Sequence, residues 1–191
     1  MQSIQLPEPQ TDGGRPLMQV LKDRKSSRGF SPEPLPLQIL SDLLWAAFGV
    51  NRPESGMRTA PSAINWQEID IYVALANGLY LFDADQHLLK PILAEDVRAY
   101  TGVQSFVAQA PLNLIFVADY ARVNNVSESR RALTCAADAG FISQNVYLYC
   151  ASQGLATVLR ALIDRKSLAE KMGLRQDQDI IFAQTVGYPD K

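Results

Sequence analysis

The sequence predicts an α+β fold in one domain, residues 16–191, which follows an N-terminal arm at residues 1–15. Alternating apolar residues form two strand patterns joined by Asn77-Gly78, the strongest short-range signal for a β-hairpin. Two further apolar strand patterns come later and enclose a long helical stretch at about residues 127–153. The length of 191 residues and the hydrophobic share of 47% suit one domain with its own core.

The N-terminal part of the chain predicts an arm and two helices. The arm contains two prolines and two glycines, so we expect it to be extended and weakly ordered. Apolar spacing predicts a short helix at residues 16–24, with Pro16 suited to its first turn, and a second helix at residues 37–48. Residues 25–36, which hold Gly29 and three prolines, predict a loop between them.

The predicted strands lie at residues 69–75, 79–82, 112–118 and 180–186. The pattern at residues 112–118 is almost continuously apolar, which favours a central strand covered on both faces. Residues 49–62 contain two glycines and two prolines and predict a long loop before the first strand.

The helix predicted at residues 127–153 has Ser127 as its N-cap and Gly154 as its stop. Its middle carries small and apolar residues on most faces, and a helix that is apolar all round is buried all round. We therefore expect this helix to be both the central core element and a surface that packs against a second subunit.

Composition excludes several classes of function. A net charge of −2 gives no basic field to attract nucleic acid, and no apolar stretch reaches the ~20 residues of a membrane span. The polar start predicts no signal peptide, so we expect a cytoplasmic protein. One histidine, His87, predicted in a surface turn, and two core cysteines, Cys135 and Cys150, exclude a disulfide scaffold and a histidine or cysteine metal cluster. If the protein is an enzyme, a bound cofactor would then supply the chemistry that these side chains cannot.

Three segments are candidates for function. Residues 22–28 hold four basic side chains and two hydroxyls before a bend, which suits a phosphate or a solvated helix end. In residues 58–67, the amides of Asn65 and Gln67 match the mixed donor and acceptor edge of a flavin or pyrimidine, although a simple Pro-Ser turn fits as well. Residues 154–164 connect the long helix to a short one, for which Asp164 is a plausible cap.

Six motifs occur in a recognisable order: residues 24–30, residues 61–67, Gly140 with Gln144-Asn145, Gly154-Leu155, residues 168–174 and residues 186–189. Together they resemble the FMN-dependent nitroreductase-like flavoproteins, over residues 16–189. The hairpin at Asn77-Gly78 looks like the branch related to peptide-azoline dehydrogenases. The resemblance implies an α+β fold with a mostly antiparallel central sheet flanked by helices, and a long buried helix at a homodimer interface.

The resemblance also implies roles for particular residues. Arg24 and Ser26 match the groups that hold the FMN phosphate and ribityl chain, and Lys25 replaces a commoner arginine. Arg28 matches the cation near the flavin N1 and O2 edge, where negative charge develops on reduction. The loop that binds the pyrimidine edge of the flavin comes from the partner subunit in this family, and it is matched by Pro61, Ser62, Asn65 and Gln67. The stretch whose backbone amides approach flavin N5 is matched by Arg160, Ala161 and Leu162.

Besides Lys25, two further departures from the family pattern stand out. Glu68 occupies a position where a proline usually follows the glutamine. The chain ends at Lys191, whereas many relatives continue into an arm that supplies another basic phosphate ligand, a role that Lys191 could take.

The resulting expectation is a homodimeric oxidoreductase in which NAD(P)H reduces FMN, and FMN then reduces a small organic molecule such as a nitro or quinone compound. No side chain is expected to be an obligatory acid or base, and no metal is expected. Three alternatives stay open: a flavin-dependent dehydrogenase of another substrate, a non-catalytic flavin-binding or storage protein, and a dimeric interaction module whose basic loop is only solvated.

Overall fold

The computed structural model describes residues 1–190, so the expectation for Lys191 lies outside the described residues. The strands among these residues are β1 Ile4–Gln5, β2 Val50–Arg52, β3 Met57–Arg58, β4 Ile69–Leu75, β5 Gly78–Asp83, β6 Leu88–Leu93, β7 Leu112–Asp119, β8 Ala156–Arg160 and β9 Gln178–Gly187. Seven of them form one antiparallel sheet in the order β1-β6-β5-β4-β7-β9-β8, and the other two, β2 and β3, pair with each other. The helices are α1 Leu17–Asp23, α2 Leu37–Phe48, α3 Glu128–Gln153 and α4 Arg165–Met172. Single turns of 3-10 helix lie at Ala63–Asn65, Arg98–Thr101, Ser105–Ala108 and Tyr120–Arg122.

Strand β7 is the centre of the sheet, as its apolar sequence predicts. All eight of its residues are buried, and it pairs with β4 on one side and β9 on the other. Leu114 and Phe116 belong to the core cluster formed with α2 and α3, whereas Ile115 and Val117 belong to the cluster that includes α4. The sheet is therefore covered by helices on both faces, and the α+β, mostly antiparallel expectation is confirmed.

Helix α3 has the predicted ends but is not buried all round in the single chain. The hydroxyl of Ser127 accepts the Arg130 amide at its start, and Gly154 ends it in the left-handed conformation at φ 71°. One face is buried, at Cys135, Ala139, Ile142, Val146 and Cys150. The opposite face leaves Leu133 73% and Phe141 48% exposed, so burial on all sides would need a second molecule.

The expectation of a weakly ordered arm is wrong. Strand β1 pairs with β6, and Leu6 is only 3% exposed within the main core. The hydroxyl of Ser41 donates to the carbonyl of Pro7 at 2.5 Å and contacts His87 at 2.6 Å. His87 is accordingly a half-buried anchor of the arm rather than a surface residue, and burial lowers its pKa.

The hairpin and the connection after α3 differ in detail from their predictions. Leu75 pairs directly with Gly78, so the turn residues of the hairpin are Ala76 and Asn77. Residues 154–164, interpreted as a connection, contain β8, and Asp164 caps α4 as expected by accepting the Ser167 amide. No helix within residues 1–190 has the length and apolar character of a membrane span.

Replacement of Leu6 by alanine tests the docked arm. We expect a loss of about 2–5 kcal/mol in the free energy of unfolding, because the change leaves a cavity in the core. Val103 is 65% exposed, and its replacement by alanine, as the control, should change stability by less than about 0.5 kcal/mol. Equal, small effects in urea unfolding would show that the arm does not contribute to the core.

Candidate functional site

The basic loop at residues 24–28 leaves the end of α1 and is attached to the edge of the sheet. Arg24 caps α1 through its amide, which donates to the carbonyl of Val20 at 2.8 Å. The amide of Ser27 donates to the carbonyl of Thr157 in β8 at 2.9 Å. The loop predicted from its prolines and glycine is thus an irregular but tethered segment, which holds its side chains in a defined place.

Tyr147 of α3 supports this loop, a role that a tyrosine in a largely apolar helix does not reveal by its sequence alone. Its hydroxyl lies 2.8 Å from Ser26 Oγ and accepts the Leu159 amide at 2.9 Å. The guanidinium of Arg24 lies 5.3 Å from the centre of the Tyr147 ring. Because the tyrosine can donate its proton to Ser26 Oγ, the proton of Ser26 stays available for a ligand.

A cavity of about 500 Å³ opens beside this loop and carries a positive excess. Its charged lining consists of Arg15, Lys22 and Lys25 with one carboxylate, Asp23, which pairs with Arg15. Within residues 1–190, Lys25 takes part in no ion pair. Hydroxyl, backbone and cationic groups around one concavity are the usual elements of a phosphate site.

Arg28 lies apart from that lining. It is exposed, and it also takes part in no ion pair within residues 1–190. Its neighbour Phe30 is buried, bridges Pro189 and packs on Phe106 with ring centres 5.2 Å apart. The anchored Phe30 fixes the end of the loop, and Arg28 remains free to meet an anionic group at the surface.

The second predicted segment, residues 61–67, has a strained backbone. Ile64, Asn65 and Gln67 all have positive φ, at 51°, 58° and 49°. This conformation is a genuine outlier for a β-branched residue such as isoleucine, and Ile64 is also 83% exposed. Such strain persists only where the surroundings hold it in place, and it concentrates at functional sites.

Local hydrogen bonds hold this strained loop. Ser62 Oγ accepts the Gln67 amide at 3.0 Å, and the Ala63 amide donates to Asp138 Oδ2 of α3 at 2.9 Å. The Gln67 side chain accepts from Arg58 Nε at 2.7 Å and donates to Asn65 Oδ1 at 3.0 Å. The two amides predicted to meet a flavin edge therefore lie together, while the predicted Pro61 is exposed at the start of the loop.

Within residues 1–190, the two loops are attached to α3 at separate points. The basic loop contacts α3 at Tyr147, and the strained loop contacts it at Asp138, nine residues earlier. At the rise of an α-helix this places the two contacts about 14 Å apart along α3.

The third predicted segment presents its backbone rather than its arginine side chain. Arg160 is 5% exposed, and its guanidinium donates to Asn113 Oδ1 at 2.9 Å, Thr185 Oγ1 at 3.0 Å and the Thr101 carbonyl. Burial lowers its pKa to about 10. Ala161 and Leu162, just beyond β8, are exposed and are accessible to a ligand, unlike the Arg160 side chain.

Glu68, the departure from the family pattern, is fully buried. Neither of its carboxylate oxygens has a hydrogen-bond partner among the described residues, and the buried Asp138 lies beside it. Burial, with the adjacent charge of Asp138, raises the pKa of Glu68 to about 7.

Comparison with known proteins gives a consistent assignment. Residues 21–188 match the Nitroreductase family. A crystal structure from Ralstonia eutropha JMP134, assigned as a nitroreductase, is 48% identical, with a TM-score of 0.95 over 100% of this chain and 91% of that one. A Methanocaldococcus jannaschii protein assigned as a nitroreductase is 36% identical over 152 residues, 74% of this chain and 76% of its own.

Two distant solved structures share the fold. The Escherichia coli microcin synthetase McbBCD complex, with truncated pro-MccB17 bound, has a TM-score of 0.78 at 18% identity over 88% of this chain and 70% of that one. NADPH:FMN oxidoreductase from Vibrio harveyi, complexed with NAD+, has a TM-score of 0.67 at 20% identity over 92% and 69%. At these identities the likeness concerns the fold alone.

Replacement of Tyr147 by phenylalanine tests the support of the basic loop. The change leaves the Leu159 amide and Ser26 without their partner, so we expect a loss of about 1–3 kcal/mol in the free energy of unfolding. Tyr149→Phe is the matched control, because its hydroxyl makes only one long bond, 3.4 Å, to the Ile39 carbonyl. A control as damaging as the test would argue against the role of Tyr147.

The buried Glu68 predicts a pH dependence of stability. The pKa of Glu68 in the folded protein, about 7, lies above the ordinary 4.5. Its contribution to the free energy of unfolding is therefore complete below pH 4.5 and is lost as the pH rises through 7. Relative to wild type, the free energy of unfolding of Glu68→Gln should be higher by on the order of 2–3 kcal/mol at pH 8 and nearly unchanged at pH 4.5. Urea unfolding at both values measures this, with the exposed Glu170→Gln as control; an equal difference at the two pH values would contradict it.

Proposed function

Because the chain belongs to the nitroreductase family, whose members are flavin-dependent oxidoreductases, we propose that it uses FMN to pass two electrons from NAD(P)H to a small organic acceptor. A nitro or quinone compound is the class of acceptor we propose. The main support for FMN is the cavity of about 500 Å³ beside the loop that Tyr147 supports. The cations and hydroxyls that line this cavity suit a phosphate group.

In this proposal the basic loop holds the phosphate end of FMN. Arg24 and Lys25 supply positive charge, and Ser26 donates its free hydroxyl proton to a phosphate oxygen. Arg24 is oriented by the Tyr147 ring and Ser26 by the Tyr147 hydroxyl, so the two side chains are arranged before a ligand arrives. Such preorganisation reduces the entropy lost on binding.

The other predicted residues act on the ring. FMN supplies an isoalloxazine ring that accepts and passes on a hydride. The exposed cation of Arg28, which forms no ion pair within residues 1–190, would stabilise the negative charge that reduction places near N1. The backbone of Arg160, Ala161 and Leu162 would face N5, because the Arg160 side chain is engaged elsewhere.

We propose that a homodimer completes this site. Asn65 and Gln67 lie on a loop that is attached to α3 about 14 Å from the attachment of the basic loop, and the family resemblance assigns this loop to the partner subunit. The exposed face of α3 is apolar at Leu133 and Phe141, and Gly140 has open space where a side chain would lie. An antiparallel pairing of two α3 helices would bring the strained loop of one protomer toward the basic loop of the other.

Flavin content tests the phosphate assignment. We expect the purified protein to show flavin absorbance, and Arg24→Ala combined with Ser26→Ala to lose most of it while retaining its circular dichroism. Lys166→Ala, which removes an exposed cation from α4, is the control. Flavin retained at full stoichiometry by the double variant would remove the assignment.

Anaerobic addition of NADPH to the flavin-loaded protein then separates the alternatives. Rapid loss of flavin absorbance, reversed by a nitro or quinone compound, is the expected result. Reduction by NADPH without transfer to these acceptors would indicate a dehydrogenase of another substrate. Flavin that NADPH does not reduce would indicate a storage protein, and protein without flavin an interaction module.

The α3 face gives a separate prediction about assembly. Phe141→Asp should convert the dimer to a monomer in sedimentation and lower flavin occupancy, because it places a charge in an apolar interface. Ile92→Asp, which puts the same charge on a 41% exposed residue of β6, should leave the dimer intact. A monomeric wild type with full flavin occupancy would contradict the shared site.

A further inference from the structure

A pair of buried acids lies directly beneath the strained loop. Glu68 follows Gln67 and precedes β4, and its fully buried carboxylate points to α3, where it meets Cys135 and Asp138. Asp138 is 4% exposed, and one of its oxygens accepts the Ala63 amide. Both acids therefore connect the loop at residues 62–67 to α3. Glu68 follows the loop directly in the chain and meets α3, and Asp138 lies on α3 and accepts the amide of Ala63 in the loop.

Two carboxylates buried side by side are not both ionised at modest pH, because the charges repel in a poorly solvated place. A protonated acid, in contrast, is a hydrogen-bond donor. Asp138 already accepts from Ala63 with one oxygen, Oδ2, and has a second oxygen to offer. Protonation of Glu68 thus provides both acids with a partner and accounts for the unpaired oxygens of Glu68.

Within residues 1–190, neither Glu68 nor Asp138 takes part in an ion pair. In β4, which follows Glu68, Asp70 is paired with Arg122. Arg122 also donates to Asp119 and to the Gln67 carbonyl. From α3, the guanidinium of Arg131 lies 4.1 Å from the centre of the Tyr120 ring.

The other groups on this side do not supply a positive charge either. Cys135 is buried with a raised pKa and is a neutral thiol at neutral pH. From β9, Asp179 accepts a hydrogen bond from the Tyr120 hydroxyl at 3.3 Å and is itself an acid. The proton is therefore the available means of removing the excess negative charge.

We propose that Glu68 keeps a proton that it donates to Asp138, and that this acid pair positions the strained loop which presents Asn65 and Gln67. The statement about the flavin edge rests on the proposed function above; the statement about the pair and the loop does not. Glu68 and Asp138 are positioning residues, since they act through Ala63 and the backbone and not on a ligand.

The consequence is a loop that depends on pH. When Glu68 loses its proton, a second negative charge appears beside Asp138, and the attachment of Ala63 to α3 weakens. The left-handed residues Ile64, Asn65 and Gln67 are then no longer held, and relax. Glutamine at position 68 carries an amide that donates at every pH, so it should keep the loop in place.

Trp66 lies within the loop and reports on it without flavin. In flavin-stripped, full-length Trp45→Phe protein, Trp66 is the remaining tryptophan. We expect its fluorescence to change in one step centred near pH 7. The step should vanish in Glu68→Gln and persist in the control Glu170→Gln. A step that survives in Glu68→Gln, or no step in the parent protein, would overturn the proposal.

A second measurement asks whether the pair serves the flavin edge. The dissociation constant of FMN is measured by fluorescence quenching at pH 6 and pH 8.5, for the wild type and for Glu68→Gln. At each pH, the wild-type constant is divided by that of Glu68→Gln. The ratio cancels the ionisation of the FMN phosphate itself. We expect it to rise about tenfold between the two pH values. A constant ratio beside a Trp66 step would overturn the positioning role, whereas no FMN binding at either pH would overturn the proposed function and leave the Trp66 result standing.

Discussion

Helix α3 has apolar residues on two opposite faces, and one chain covers only one of them. The covered face carries Cys135, Ile142 and Val146 into the core against the sheet, and the other leaves Leu133 and Phe141 exposed. Both candidate loops are attached to this helix, the basic loop through Tyr147 and the strained loop through Asp138. The positions of both loops thus follow from how α3 is packed, and in the proposed homodimer a second chain covers the other face and completes the site.

In the proposed function, the side chains that bind FMN differ from those that support them. Arg24 and Ser26 would bind the phosphate end beside the basic cavity, and Tyr147, which lines that cavity, contacts both of them. Asn65 and Gln67 lie on a strained backbone, which Asp138 holds through the Ala63 amide and which Glu68 is proposed to hold as well. The supporting groups are buried, so their own positions are fixed by the packing around them.

Local patterns predicted much of this molecule, and long-range contacts account for what they missed. The ends of α3, the central strand β7 and the family followed from cap residues, an apolar run and ordered motifs. The docking of the arm did not, because β1 pairs with β6 more than eighty residues away. Tyr147 is ordinary in sequence, and Glu68 stands out only as a departure from the family pattern, since the surroundings of both residues come from other elements. The five-residue β8 was too short to separate from a connection.

Mixing two defective subunits tests the two-chain site most directly. One variant carries Arg24→Ala and Ser26→Ala, and the other Asn65→Ala and Gln67→Ala, and each homodimer should lack flavin. After exchange of subunits, a site shared between chains predicts that every mixed dimer regains one intact site of two, so that flavin binding returns. A site contained within one chain predicts no recovery on mixing, and that result would contradict the account.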